Sequence, residues 1–359
     1  MTADLLFHVL LALAVVVVSG RLIGRLVAAI GQPPVIGEVL SGILLGPSLL
    51  GIVAPSAESF LFPAAVRPPL GVVAHAGVVL YMFIVGLEFD TSLRKRRAAP
   101  LIVTSQASIV IPFLLGCGLA MTMYDAFAPA GVSVTVFALF MGVAMSITAF
   151  PVLARILTDR GLTRTELGVA ALTCAAINDV MAWCLLALVV GATRAMPSGG
   201  VPGELVIAFA LGVVIPHRSA FALSARRWLA GIVAVMLLPA FFALTGLRTQ
   251  IALLSTVHEW IACLLIVAVA TVGKFGGAAF AGRLMGMPWR FAAQLGALMN
   301  TRGLMELVVL NVGLDAGLIS PTLFTMMVIM ALVTTAMTAP LLDALAAARE
   351  ERQQRQEDA

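Results

Sequence analysis

Charge is scarce in this sequence. Asp, Glu, Lys and Arg make up 11% of its 359 residues, against roughly 25% in a soluble globular domain, and only two of them are lysines, Lys95 and Lys274. A water-facing surface needs more charge than this, so a soluble fold is excluded. The four cysteines (Cys117, Cys174, Cys184 and Cys263) lie inside apolar runs with no CxxC or Cys/His spacing. They read as small buried hydrophobes, which removes a disulfide scaffold and a metal centre from consideration. The short alternating segments of a membrane barrel are also missing. Asp4 precedes the first apolar run and Arg21 and Arg25 follow it, the reverse of a cleavable signal peptide.

What is there is apolar. Hydrophobic residues make up 61% of the chain and the mean hydropathy is +1.07. Most apolar runs are long enough to cross a hydrocarbon core of about 30 Å as helices. The expected fold is an all-α integral membrane bundle of about eleven helices, at 5–30, 34–51, 70–89, 98–123, 131–157, 166–191, 203–216, 227–246, 259–283, 289–312 and 321–343. With the N-terminus outside, 17 basic residues fall in the inner loops and three, Arg67, Arg194 and Arg248, on the outer side. The positive-inside rule therefore sets an outer N-terminus and a cytoplasmic C-terminus, in a bacterial plasma membrane. The net charge of +4 resides in these loops, so it orients the chain and does not indicate a nucleic-acid partner.

Two stretches recur. VIGEVLSGILLGP (35–47) resembles PGELVIAFALGVVIP (202–216), with Gly37 and Gly203 166 residues apart. YMFIVGLEFDTSL (81–93) resembles PAFFALTGLRTQI (239–251), with Gly86 and Gly246 160 apart. By the topology above the two copies run in opposite senses through the membrane, as inverted repeats of secondary transporters do. Gly20xxxGly24, Gly42xxxGly46 and Gly273xxxGly277 read as close-packing faces.

Polar residues inside apolar spans mark the candidate site. In TCAAINDVMAWCLLAL (173–188) Asn178 and Asp179 interrupt a helix. A carboxylate near the bilayer centre costs at least ~2.5 to 3.5 kcal/mol on insertion scales, so it is read as functional. In MSITAFPVLARI (145–156) Pro151 disfavours helix at Phe150, beside Ser146 and Thr148. MNTRGLMEL (299–307) places Asn300, Thr301, Arg302, Gly303 and Glu306 in another span. If both helices unwind, their free carbonyls and opposed ends form a polar spot where a cation exchanges water for oxygens. Asp179 would then hold a proton or a cation, never both. Asn178 supplies an oxygen or fixes the helix. Thr148 contacts the cation or, like Ser146, bonds back to its own helix. Lys274 supports the site or snorkels to the inner surface, and Arg302 and Glu306, spaced i to i+4, pair with each other. Glu38, Glu88, Asp90 and His75 lie at or near helix ends, where capping or solvation accounts for them.

The chain resembles the monovalent cation:proton antiporters, in particular the second subfamily of Kef-type and plant CHX-type exchangers. The residues that carry this are GQPPVIGEVLSGILLGPSLLG (31–51), FIVGLEFD (83–90), SITAFPVLARIL (146–157), AAINDVMAWCLLAL (175–188), LPAFFALTGLRT (238–249), VGKFGGA (272–278) and MNTRGLMELVVLNVG (299–313). The resemblance implies a transmembrane domain over 1–345, with scaffold and dimerisation helices at about 1–90 and 203–246 and core helices at about 98–191 and 259–345. Residues 346–359 would be a short cytoplasmic tail. It implies that Asp179 is the ion- and proton-binding aspartate, Asn178 its neighbour, Thr148 the broken-helix hydroxyl and Lys274 the membrane lysine. Expected partners are a monovalent cation, Na⁺ or K⁺, protons and the lipid bilayer; no cofactor and no enzyme activity are expected. The chain departs from the family where two membrane helices are absent between the Asn-Asp helix and the VVIP stretch, which weakens an expected homodimer. It also ends without a soluble domain. Alternatives are a truncated, inactive relative and a cation channel of the same fold. An intramembrane protease fails for want of a second catalytic carboxylate. A single titrating carboxylate implies exchange of one proton for one cation.

Overall fold

The computed structural model describes residues 3–88, 98–192, 202–216 and 219–357, and among these every regular element is helical. In chain order they are α1 (Ala3–Ala29), α2 (Pro34–Leu45), the short α3 (Leu50–Val53) and α4 (Pro55–Leu61), α5 (Arg67–Glu88) and α6 (Ala98–Phe127). Next come α7 (Val134–Ser146), α8 (Phe150–Asp159), α9 (Glu166–Ala192), α10 (Pro202–Val214), α11 (Ala220–Ile232) and α12 (Leu238–Arg248). The chain ends with α13 (Val257–Thr271), α14 (Gly277–Leu284), α15 (Trp289–Met299), α16 (Leu304–Asp315) and α17 (Pro321–Glu357). The pair α11 and α12, and the pair α13 and α14, are each joined by a π-helical turn, Val233–Leu237 and Val272–Gly276.

Local chemistry sets many of these boundaries. Prolines open α2, α4, α10 and α17, where a missing N–H costs nothing. Ser133 and Ser219 cap α7 and α11, and Thr256 with Glu259 forms a reciprocal capping box on α13. Gly131, at φ 86°, turns the chain between α6 and α7. Eight stretches among the described residues are long and apolar enough to cross a membrane. The other three spans expected from sequence are α9, the short α10 and the interrupted α15 and α16. The protein is therefore a multi-pass integral membrane protein. Leu22, Leu114, Leu264 and Trp228 stay exposed, as suits an outer face in contact with lipid. One boundary differs from expectation: α17 continues through the expected tail to Glu357. The segment AAAREERQQRQE is rich in strong helix formers, and its charges leave the apolar stretch without ending the helix.

The repeats appear as reciprocal helix crossings. α2 crosses α12, and α10 crosses α5, so each copy's Gly-Glu helix packs on the other copy's Gly-Leu helix. At the first crossing a Cβ on Gly42 would lie 2.0 Å from the Ala243 carbonyl oxygen, and one on Gly246 would lie 2.2 Å from that of Val39. At the second, a Cβ on Gly86 would meet the Phe209 carbonyl oxygen at 2.3 Å, and one on Gly212 that of Phe83 at 2.3 Å. Swapped contacts of this kind are what a two-fold relation between repeats produces. α1 lies along α2 with Gly24 against Gly37. Among the described helices, α10 packs on α5 and α9 and has no such counterpart. The other helices surround the two interrupted ones: α6 packs on α7, α9 and α14, while α17 packs on α13, α15 and α16.

Gly246→Ala and Gly212→Ala are each expected to lower the melting midpoint in detergent, with overpacking costing about 1–3 kcal/mol. Gly118→Ala, where an added Cβ meets nothing within 4 Å, should leave it unchanged or raise it. Equal midpoints for all three variants would contradict the crossing geometry.

Candidate functional site

Both expected breaks are present. α7 stops at Ser146, residues 147–149 run extended, and α8 restarts at Phe150 with Pro151 in its first turn. Likewise α15 stops at Met299 and α16 restarts at Leu304 after Gly303. The two linkers touch: the Ala149 N–H donates to the Thr301 carbonyl at 3.1 Å, and Thr148 Oγ1 donates to the Met299 carbonyl at 3.1 Å. α17 holds the second linker through its hydroxyls. Thr335 Oγ1 accepts from the Arg302 N–H at 3.0 Å and donates to the Arg302 carbonyl at 2.8 Å, and Thr338 lies 3.3 Å from Thr301.

Asn178 and Asp179 of α9 face this crossing. The Asn178 amide sits among three hydroxyls, Ser105 Oγ at 2.7 Å, Ser108 Oγ at 2.9 Å and Thr148 Oγ1 at 3.2 Å. With its nitrogen turned toward Ser105, that nitrogen reaches the Cys174 and Ser105 carbonyls and the oxygen accepts from Ser108, while the single Thr148 hydroxyl hydrogen goes to the Met299 carbonyl. Ser105 and Ser108 were missed in the sequence reading. Their signal was the run Thr104-Ser105-Gln106-Ala107-Ser108 inside an apolar span. Asp179 is 3% exposed, and neither carboxylate oxygen has a hydrogen-bond partner. The Phe150 N–H at the start of α8 approaches it as a weak backbone donor, and the Lys274 ammonium acts on it through its charge.

Two buried cations stand at the end of α7. Lys274 is fully buried on the π-helical turn, and its Nζ donates to the Ser108 carbonyl at 2.9 Å and to the Ser146 carbonyl. It does not snorkel. Arg302 is also fully buried and donates from its two Nη atoms to the Ala144 and Met145 carbonyls at 3.1 and 2.8 Å. Three successive carbonyls at the C-terminal end of α7 are thus covered by two cations, which suits the negative end of a helix dipole. The expected free carbonyls are therefore taken. Among the described residues, the buried side-chain oxygens without a hydrogen bond are those of Gln32, Asp179, the Asn300 amide and Glu306. Such atoms are rare in protein interiors. Glu306 lies in the first turn of α16, 3.1 Å from Arg302. Ser146 donates back to the Val143 carbonyl.

Two cavities lie along the interface of α5, α12 and α16. One, of about 270 Å³, is lined by Pro34, Glu38, Tyr81, Pro151, Arg155 and Leu304. The other, of about 320 Å³, lies toward the opposite ends of the same helices and is lined by His75, Phe241, Arg248, Asn311 and Asp315. In the second, Arg248 of α12 ties α16 by hydrogen bonds of 2.9 Å to both Asn311 and Asp315. His75 meets Glu204 of α10 at 3.0 Å. Of the other acidic residues considered from sequence, Asp90 lies outside the described residues.

The family model described as "Sodium/hydrogen exchanger, transmembrane" matches residues 12–215 and 198–344. The Na(+)/H(+) antiporter NhaS4 of Synechocystis is 38% identical over 401 residues, covering 95% of this chain and 98% of the relative. That alignment is longer than this whole chain, so the relative carries residues that this chain lacks. Cation/H(+) antiporter 17 of Arabidopsis thaliana is 33% identical and K(+)/H(+) antiporter 1 of Saccharomyces cerevisiae 30% identical, over 93% and 86% of this chain. The chain spans about half the length of these two, at 48% and 43%. The structure of the sodium proton antiporter MjNhaP1 of Methanocaldococcus jannaschii matches with a TM-score of 0.59 at 15% identity, over 95% of this chain and 97% of that one. This match shows a shared fold.

Arg302→Met should leave Glu306 buried without its counter-charge and cost about 3–5 kcal/mol. The double change Arg302→Met with Glu306→Leu should recover a large part of the melting midpoint. A double variant as unstable as the single one would show that the ion pair is not the cause.

Proposed function

We propose that this chain, which belongs to the sodium/hydrogen exchanger family, exchanges a monovalent cation for protons across a membrane by alternating access. The observation that carries the reading is Asp179, a buried carboxylate with no partner, lying against two interrupted helices. An unpaired charge there is costly, and a proton or a cation relieves that cost equally well. Because one carboxylate serves both, binding of one expels the other, and this exclusion couples the two flows. Thr148 and Asn178 would add neutral oxygens beside the carboxylate. Lys274 and Arg302 would keep the end of α7 closed and charge-balanced through the cycle.

The moving part would be the helices of about 98–191 and 259–345, against a scaffold of about 1–90 and 203–246. The two cavities lie where those groups meet, and each would be one mouth of the pathway. With the N-terminus outside, the Arg155 cavity faces the cytoplasm and the Arg248 cavity faces out. Arg248, Asn311 and Asp315 would hold the outer mouth shut in this conformation. The absence of an α1-like partner for α10 fits a chain that lacks two helices of its relatives, and a homodimer would be correspondingly weak. Relatives named for Na⁺ and for K⁺ leave either cation as the substrate class. The commitment of the Lys274 ammonium to two carbonyls supports one proton exchanged per cation, since this lysine is held as a structural cation.

In everted vesicles with a fluorescent pH probe, Asp179→Asn should abolish cation-dependent proton movement while expression stays near wild type. Thr148→Val should raise the half-saturating cation concentration about tenfold, the equivalent of about 1.4 kcal/mol, with a smaller effect on maximal rate. Exchange by Asp179→Asn at wild-type rates would rule out the assignment.

One-for-one exchange moves no net charge. Rates in liposomes with a clamped potential should then be flat with voltage, although one uncompensated charge would feel about 2.3 kcal/mol per 100 mV. A steep voltage dependence that disappears in Lys274→Gln would show the lysine to be a second proton carrier.

A further inference from the structure

The cavity beside Arg155 contains a carboxylate that the exchange cycle above does not use. Glu38 stands on α2 and lines the cavity with Pro151 and Val152 of α8. Those two residues directly follow Phe150, whose N–H acts on Asp179. Glu38 thus faces the space adjoining the break. Its position was read from sequence as a helix-end acid needing no special account; its backbone carbonyl accepts from Ser41, while its carboxylate has no hydrogen bond or ion pair among the described residues.

The surrounding charges leave it available. From α1, Arg21 acts on it at a distance without forming an ion pair. From α8, Arg155 is engaged by Asp159 at 2.9 Å. From α5, Tyr81 lines the same cavity, and α12 and α16 contribute the apolar Leu238, Phe242 and Leu304. With the Arg155 charge balanced by Asp159 and most of the lining apolar, an acid here raises the local concentration of cations, because a low-dielectric surround concentrates the field in the opening.

We propose that Glu38 is a cation-attracting residue of the access pathway, which lowers the cation concentration needed to load Asp179 from this mouth alone. The inference rests on the antiport reading and adds a second carboxylate to it. Its signature is sidedness, because Glu38 lines one cavity and not the other.

The test compares wild type, Glu38→Gln and Glu38→Asp in membranes of both orientations, with Na⁺ or K⁺ supplied from one face at a time. In Glu38→Gln the half-saturating cation concentration should rise about threefold at low ionic strength from the Arg155 side, and not from the other. Maximal rate should hold, an impermeant inert salt should shrink the difference, and Glu38→Asp should restore affinity. An unchanged half-saturation, an equal shift from both faces, or a fall in maximal rate alone would overturn the proposal. A second measurement needs no transport. With the four native cysteines replaced, Ala234→Cys in the same cavity should react faster with a cationic impermeant thiol reagent than with an anionic one, and Glu38→Gln should erase that preference. A preference untouched by Glu38→Gln overturns the proposal. Absence of exchange by wild type would instead remove the antiport reading and leave the labelling to decide Glu38.

Discussion

Interrupting a helix inside an apolar bundle strands its terminal N–H and C=O groups where water cannot satisfy them, at a cost of several kcal/mol per group in hydrocarbon. Two interrupted helices cross here, and most of the polar chemistry of the interior answers that demand. The end of α7 is covered by Lys274 and Arg302, and the end of α15 by the Thr148 and Thr301 hydroxyls. The linkers bond to each other through Ala149 and Thr301, and to α17 through Thr335. Once these groups are paired, the carboxylate of Asp179 stands out as a buried acid with neither a hydrogen bond nor an ion pair among the described residues. An exchanger needs this contrast, because a carboxylate already satisfied by donors would gain little from binding a cation.

The division of labour among charged residues follows from the same constraint. Arginine has five donors in a rigid fork and keeps its charge, so Arg302 can serve two carbonyls and still stand 3.1 Å from Glu306. Lysine has a single rotatable ammonium. The Lys274 ammonium reaches α6 and α7 at once because the π-helical turn at Val272–Gly276 shifts its register on the helix. π-turns frequently mark functional positions, and this one positions a cation that a regular helix would point elsewhere.

Packing outside the site is governed by glycine. With no hydrophobic driving force between helices in lipid, close approach has to come from small residues. The crossings at Gly42 with Gly246 and at Gly86 with Gly212 bring backbones within contact distance. They link the two repeats reciprocally, and they leave the α5, α12 and α16 interface to carry the two cavities. Tight crossings on one side and a polar, cavity-lined seam on the other are compatible with one group of helices moving against the other.

Much was legible in the sequence because the lipid solvent permits few structures. Composition alone required a helical membrane bundle. Pro151 and the Asn300–Gly303 run marked both breaks, since each disrupts an otherwise apolar span, and Asp179 was conspicuous because intramembrane carboxylates are expensive. The i to i+4 spacing of Arg302 and Glu306 was likewise a local signal. Only the tertiary structure decided which groups are consumed and which remain free. Lys274 meets residues 166 and 128 positions away, and Asn178 meets Ser105 and Ser108 on another helix, 73 and 70 positions away. No periodicity records such partners. The π-turn that aims Lys274 leaves no mark in the apolar pattern, and Glu38 acquires its setting from a cavity wall built by other helices. Backbone strain and hydrophobicity are written locally, whereas hydrogen-bond satisfaction is a property of the assembled interior.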